Sequence, residues 1–228
     1  MNIFEVGGTI RDALLGLKNK DRDFAVEAES YDAMKEEFLA RGGTIYLERP
    51  QFFAIRGKLP EIGDADYVLC RRDGFYSDGR HPDSVEIGTI FDDLARRDFT
   101  SGAMAKNIET GEIIDPFNGK ADTLARILRC VGDTEKRMEE DALRMLRAIR
   151  FNIVKKFSLD SDIYLFLRDE RNAELLNSVS VERIREELLK CFDCDTLATL
   201  EMLRSFPALE KNIFARNLKL TPTIFVRK

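Results

Sequence analysis

Within its first two dozen residues the chain places two adjacent glycines (Gly7, Gly8), an Arg-Asp pair (Arg11, Asp12) and a D-x-D (Asp21, Asp23). A strand has a side-chain period of two, so both D-x-D carboxylates would emerge on one face, near enough to hold hard divalent cations through oxygen. Acid pairs at strand ends are also common as plain surface groups, so the residues before them bear on the choice. Glycines that leave a strand and enter a helix let backbone N–H groups approach a phosphate and set the helix N-terminus against its charge. Arg11 adds a guanidinium that either meets such a phosphate or pairs with Asp12.

Two further clusters have the same double character. In A-R-R-D-F-T-S-G, Arg96 and Arg97 precede Asp98. Adjacent arginines beside a carboxylate suit bidentate contact with a triphosphate, and equally suit a surface ion-pair cluster that contributes little to stability. In M-E-E-D-A-L-R-M-L-R-A-I-R-F the apolar spacing predicts one amphipathic helix, on which Asp141 and Arg144 share a face, as do Arg144 and Arg147. The carboxylate and guanidinium either pair with each other or read a base. A carboxylate accepts from the exocyclic amino group that C and A have and U lacks, while arginine donates to the ring acceptors beside it.

The elements that must position these groups change character along the chain. In the first half, alternation predicts strands at 2–6, 21–26, 44–47, 52–56 and 66–71. Helices are predicted at 10–15, stopped by Gly16, and at 31–41, with Ser30 as N-cap and Gly42 past the end. Asp66 lies on a predicted strand and is a candidate third carboxylate. A polar loop, D-G-F-Y-S-D-G-R-H-P-D, runs from Asp73 to Asp83. From about Ala121 the apolar residues recur at three and four, and the rest reads as helical. A boundary near Asp115-Pro116 divides the chain into an α/β part, 1–117, and a helical part, 118–228, with a short basic end.

Composition narrows the class. With 228 residues, 44% hydrophobic and 34% charged, the chain has the makeup of a soluble globular protein of one large or two small domains. No apolar run approaches the ~20 residues of a membrane-spanning helix and no signal peptide fits, so a cytoplasmic location is expected. Cys70, Cys130, Cys191 and Cys194 are expected to be reduced thiols, and Cys191-x-x-Cys194 lacks the second ligand pair of a zinc site. The net charge of -5 argues against a generally basic nucleic-acid binder, yet its distribution is uneven. Residues 21–40 hold seven acidic and two basic side chains, 120–156 ten basic and six acidic, and 204–228 six basic and one acidic. A polyanion that meets an acidic metal site at one end and basic helices further on would explain this layout, as would a solvated helical surface.

V-G-G-T-I-R-D-A-L-L-G with D-R-D-F, then R-R-D-F-T, D-P-F-N-G-x-x-D, E-D-A-L-R-M-L-R-A-I-R-F and S-V-E-R-I-R-E-E, resembles in order the class II tRNA nucleotidyltransferase and bacterial poly(A) polymerase family. The resemblance runs from Met1 to about Lys190. It implies an α+β fold: a polymerase-beta-like nucleotidyltransferase head, with a mixed sheet and flanking helices, followed by an all-helical neck. It also implies that Asp21 and Asp23 bind two Mg²⁺ ions and that Gly7, Gly8 and Arg11 form the nucleotide-anchoring turn. Arg97 and Asp98 would lie near triphosphate and sugar. Glu140, Asp141 and Arg144, with Arg147 on the same face, would serve as a protein template for C and A. Residues 73–83 match a loop involved in switching from CTP to ATP, and 180–187 a helix supporting the neck. The implied substrates are CTP, ATP and the tRNA 3′ end. Two other activities share this resemblance in whole or part: poly(A) synthesis on general RNA, and a weakly catalytic RNA-binding module that keeps the fold. Transfer to a small molecule or protein would leave E-D-A-L-R without a purpose. Against the family pattern, Gly102 stands where Asn is usual and Thr123 where Leu is usual. Set against the family pattern, the sequence ends soon after the neck, so the family's tRNA-gripping body and tail are expected to be missing from it.

Overall fold

The alternation at the N-terminus sends Ile3 to one side of a sheet and Phe4 and Val6 to the other, and two separate cores follow from it. The computed structural model describes residues 1–18, 22–74 and 84–218, which divide into two units, Met1–Asp133 and Thr134–Lys228. In the first unit the strands include β1 (Asn2–Val6), β2 (Asp23–Glu27), β3 (Thr44–Arg49), β4 (Ala54–Leu59) and β5 (Gly63–Leu69), then β6 (Arg71–Asp73), β7 (Val85–Ile87), β8 (Ala105–Asn107) and β9 (Ile113–Ile114). Seven of them form one mixed sheet in the order β3-β4-β5-β2-β1-β8-β9, with β2 and β5 parallel and the other neighbours antiparallel. The pair β6 and β7 forms a separate antiparallel ribbon.

Helix α1 (Gly8–Leu14) follows β1 directly, and α2 (Tyr31–Ala40) lies in the crossover from β2 to β5. Ser30 caps α2 by accepting from the Ala33 N–H at 3.0 Å, and Met34 and Phe38 join Ile3, Phe24, Val26 and Tyr67 in the core of one sheet face. The opposite face buries Phe4, Val6 and Ala25 with Ile90 and Leu94 of α3 (Ile90–Ala95). A reciprocal capping box between Thr89 and Asp92 starts α3. Helix α4 (Gly119–Ala125) completes the unit's helices.

The second unit holds α5 (Thr134–Glu140), α6 (Leu143–Lys155), α7 (Ser161–Arg168), α8 (Val181–Cys194), α9 (Thr196–Arg204) and α10 (Pro207–Phe214), with a 3-10 segment at Glu170–Ser178. Helix α6 buries Met145, Leu146, Ile149 and Ile153, and it packs on α8, which buries Ile184, Leu188 and Cys191. Among the described residues, no helix is long and apolar enough to cross a membrane.

Candidate active site

Val6 ends β1 opposite Asp23, the first residue of β2, and the chain then turns at Gly7 into α1. Gly7 has φ 73°, where a side chain would be strained, and a Cβ there would sit 3.0 Å from the Arg97 guanidinium. Two candidate groups 90 residues apart in sequence are thus packed against each other, with Arg97 lying on the glycine turn. Gly8 begins the helix and is half-buried. Arg11 is buried, and its Nε donates to the Asp12 carboxylate at 2.9 Å, so the structure holds the Arg-Asp pair rather than a free guanidinium.

Asp93 fixes both arginines of R-R-D. It is 2% exposed, and one carboxylate oxygen accepts from Arg96 (2.7 and 3.0 Å) while the other accepts from Arg97 (2.8 and 3.2 Å). Arg97 also donates to the Gly102 carbonyl at 3.2 Å. Burial alone would raise the Asp93 carboxyl, but Arg97 and Arg96 more than offset it and hold it below the ordinary carboxylate value. Arg96 also lies 3.8 Å from Asp73 at the end of β6, which ties the root of the β6–β7 ribbon to the same cluster. Residues 75–83, the rest of the D-G-F-Y-S-D-G loop, lie outside the described residues.

Asp98 follows the arginines half-buried, and its carbonyl accepts from Val131 N–H at 3.2 Å. The D-P-F-N-G-x-x-D segment props this stretch. Asp115 accepts from the Gly119 and Lys120 N–H groups (2.7 and 2.9 Å), and Asp122 accepts from the Thr100 hydroxyl (2.7 Å). Gly119 is required by close approach, since a Cβ there would lie 2.1 Å from the Thr100 carbonyl oxygen.

Asp21 lies outside the described residues, and β2 begins at Asp23. Asp23 pairs in register with Asp66 on the parallel strand β5. Directly opposed residues project to the same face, and Asp23 and Asp66 line one cavity of about 280 Å³. Two hard oxygen donors on adjacent strands facing one cavity suit a divalent cation such as Mg²⁺.

In the second unit the predicted single helix is two. Helix α5 stops at Glu140, α6 starts at Leu143, and Asp141 occupies the joint. The Asp141 carboxylate accepts from the Leu143 N–H at 3.1 Å, a local turn that competes with the helix ladder. Its ionic partner is Arg183 of α8 (2.8 and 3.3 Å), not Arg144. Arg144 is buried and donates to Glu140 at 3.0 Å and to the Arg137 carbonyl. Arg147 is half-buried on α6. Cys191 is a core thiol that burial pushes up to about 12, and Cys194 is exposed.

Two residues of these clusters escaped the sequence reading. Asp93 had a signal, because it stands three and four positions before Arg96 and Arg97 in F-D-D-L-A-R-R. Arg183 lies in the 180–187 segment that the resemblance marks, but its pairing with Asp141 had no signal, because 42 residues separate the two.

Comparison with known proteins places these residues in a family. The model described as "Poly A polymerase head domain" matches residues 3–129, more than half of the chain. The chain belongs to that family. A second model, "Probable RNA and SrmB- binding site of polymerase A", matches 157–212. Among curated relatives, the CCA-adding enzymes of Lactobacillus helveticus and Geobacillus stearothermophilus are each 39% identical over 81% of this chain and 44% of their own length. Among solved structures, a CCA-adding enzyme in apo form II has a TM-score of 0.81 at 28% identity, over 94% of this chain and 50% of its own. The Bacillus stearothermophilus CCA-adding enzyme in complex with CTP has 0.73 at 32% (92% and 48%). The Thermotoga maritima CCA-adding enzyme complexed with tRNA has 0.75 at 27% (94% and 48%). The chain thus spans about half the length of the family members it matches.

Proposed function

We propose that this chain carries the catalytic head and the helical neck of a tRNA nucleotidyltransferase, which adds CMP and AMP from CTP and ATP to the tRNA 3′ end and releases pyrophosphate. One observation carries the reading: Asp23 and Asp66 stand in register on the sheet face whose next strand runs straight into the Gly7 turn beneath Arg97. Acid donors for a cation and a fixed guanidinium for a triphosphate are then neighbours across a single strand.

Asp21 and Asp23, with Asp66, would hold two Mg²⁺ ions. When bound, these would supply Lewis-acid stabilisation of charge at the α-phosphorus and favour the deprotonated acceptor hydroxyl. Arg97, held by Asp93, would meet the triphosphate without reorganising, and preorganised charge is a large source of rate. The Gly7 and Gly8 backbone would approach the phosphates, and Asp98 the sugar. Arg11, paired with Asp12, would support the turn. In the neck, Asp141 would accept from the exocyclic amino group of C or A. Arg144, set by Glu140, would donate to a ring acceptor, and Arg147 would add positive charge. No side chain needs to become covalently attached.

The test incubates the protein with Mg²⁺, labelled CTP or ATP, and tRNA ending before CCA, beside an unrelated RNA. Addition of C, C and A to the tRNA alone is the expected result, and Asp23→Ala should lower the rate on the order of 10²-fold or more. The match to a polymerase A RNA-binding model supports the second reading, poly(A) synthesis, whose signature is long A tracts on either RNA. No incorporation from any nucleotide would leave an RNA-binding module.

A further inference from the structure

Beyond Asp66 the row of side chains continues to the edge of the sheet. Across the sheet, Asp23 of β2 is opposite Asp66 of β5, Asp66 is opposite Arg56 of β4, and Arg56 is opposite Leu47 of β3. Opposed residues share a face, so the four side chains form a row across four strands, spanning about 14 Å at ~4.8 Å per strand. One step along, Val68, Ala54 and Arg49 form a parallel row in which the small Ala54 leaves a floor. Asp23, Asp66, Arg56, Leu47, Arg49 and Ala54 all line the 280 Å³ cavity.

Resting on the proposed function and extending it, we propose that this strip of β3 and β4 seats the acceptor RNA strand, with Arg56 and Arg49 on its last phosphodiesters and Leu47 against its terminal nucleoside. In nucleotidyl transfer the acceptor 3′-oxygen bonds to the α-phosphorus as the bond to the pyrophosphate oxygen breaks, and the hydroxyl proton leaves to solvent. Attacking and leaving oxygens lie in line on opposite sides of that phosphorus. The Gly7 turn and Arg97 stand on the β1 side of Asp23, so a triphosphate held there leaves the β5–β4–β3 side for the acceptor.

Charge points the same way. An RNA end drawn towards a group of carboxylates needs positive charge beside them, and Arg56 and Arg49 supply it. Arg56 and Asp66 meet at only 3.6 Å with side chains 66% and 48% exposed, a weak pair from which the guanidinium can turn to a phosphate at little cost. Leu47 is 45% exposed among these charges and offers an apolar contact.

Two measurements on the whole chain decide it. The first is anisotropy of a labelled single-stranded RNA ending in CC, without divalent ion, across a salt series. Each arginine that neutralises one phosphate contributes about 0.7 to the log–log salt slope for single strands, so Arg49→Gln with Arg56→Gln should flatten it by about 1.4. Binding at low salt should weaken on the order of tenfold. The Arg49→Lys, Arg56→Lys pair keeps the charge and should keep most of the slope, which separates charge from misfolding. The second measurement is steady-state incorporation, in which the Gln pair should raise KM for acceptor about tenfold and leave KM for nucleotide within about twofold. An unchanged slope, or a rise in nucleotide KM instead of acceptor KM, overturns the proposal. A wild-type chain that transfers nothing overturns the parent function alone, since the salt slope still reads the strip.

Discussion

The head and the neck each set an arginine with a carboxylate, and they do it in opposite ways. In the head one carboxylate, Asp93, serves two guanidiniums from three and four residues away, and is itself nearly inaccessible. In the neck the roles are split: Glu140 holds Arg144, while Asp141 is held by Arg183 from another helix, in a pair with side chains 18% and 24% exposed. A buried anchor keeps Arg97 aimed, which fits the proposed binding of a phosphate present in every substrate. A carboxylate less deeply buried than Asp93, held from another helix, fits the proposed discrimination between bases. Under the proposed function, the difference would place stiffness on the invariant part of the ligand and leave adaptability for the variable part.

The largest effect should come from breaking the head's anchor. Asp93→Asn removes the charge that both arginines share, and leaving buried charge without its counter-ion costs about 3 kcal/mol or more. Thermal melting should show a fall of several degrees, and kcat/KM for nucleotide should drop at least 10²-fold. A variant that melts as wild type and turns over normally would remove Asp93 from the account.

Acid should act through the same residue. Because the folded carboxyl of Asp93 lies below its ordinary value, its stabilisation is present above about pH 4 and is lost as pH falls through the folded value. Wild type should therefore lose stability on acidification in that range, and Asp93→Asn should lose less. Glu187, lowered by Arg150 and Lys190 against its own burial, adds a neck contribution of the same sign. Parallel acid titrations of the two proteins, followed by circular dichroism, separate the two.

A smaller and different effect is expected at Asp141. Asp141→Ala loses a largely buried pair and the Leu143 N–H bond and should cost about 2 kcal/mol in stability, while discrimination against UTP relaxes on the order of tenfold. If melting collapses and nucleotide choice is unchanged, the pair with Arg183 is structural and the contrast with the head fails.

The smallest effect belongs to Gly102. A Cβ there meets nothing within 4 Å, so Gly102→Asn should fold within about 0.5 kcal/mol of wild type. An added amide hydrogen bond to the nucleotide, about 1 kcal/mol net, would lower nucleotide KM roughly fivefold. Competition binding of CTP and ATP would show it.

Much of this is legible in the sequence. The strand 2–6, the Ser30 cap and the helical second half follow from alternation, capping chemistry and 3.6-residue spacing, all of which are local. The helix α3 and the three-residue strands β6, β7 and β8 were not, because so short an element gives periodicity nothing to repeat. The stretch 138–151 reads as one helix because its apolar residues keep one helical spacing throughout, and the break at Asp141 comes from a side chain that captures the Leu143 N–H.

By itself the sequence determined which residue types stand in which order, and hence the family, the two characters of the chain and the local forks such as Asp93 with its arginines. Tertiary structure alone decided that Arg97 lies on Gly7, that Asp66 stands between Asp23 and Arg56, that Gly119 must be bare beneath Thr100, and that Asp141 belongs to Arg183. The physical reason is range: helix and strand preferences act over a few residues, whereas sheet register and packing join positions dozens of residues apart, whose pairing no local pattern encodes.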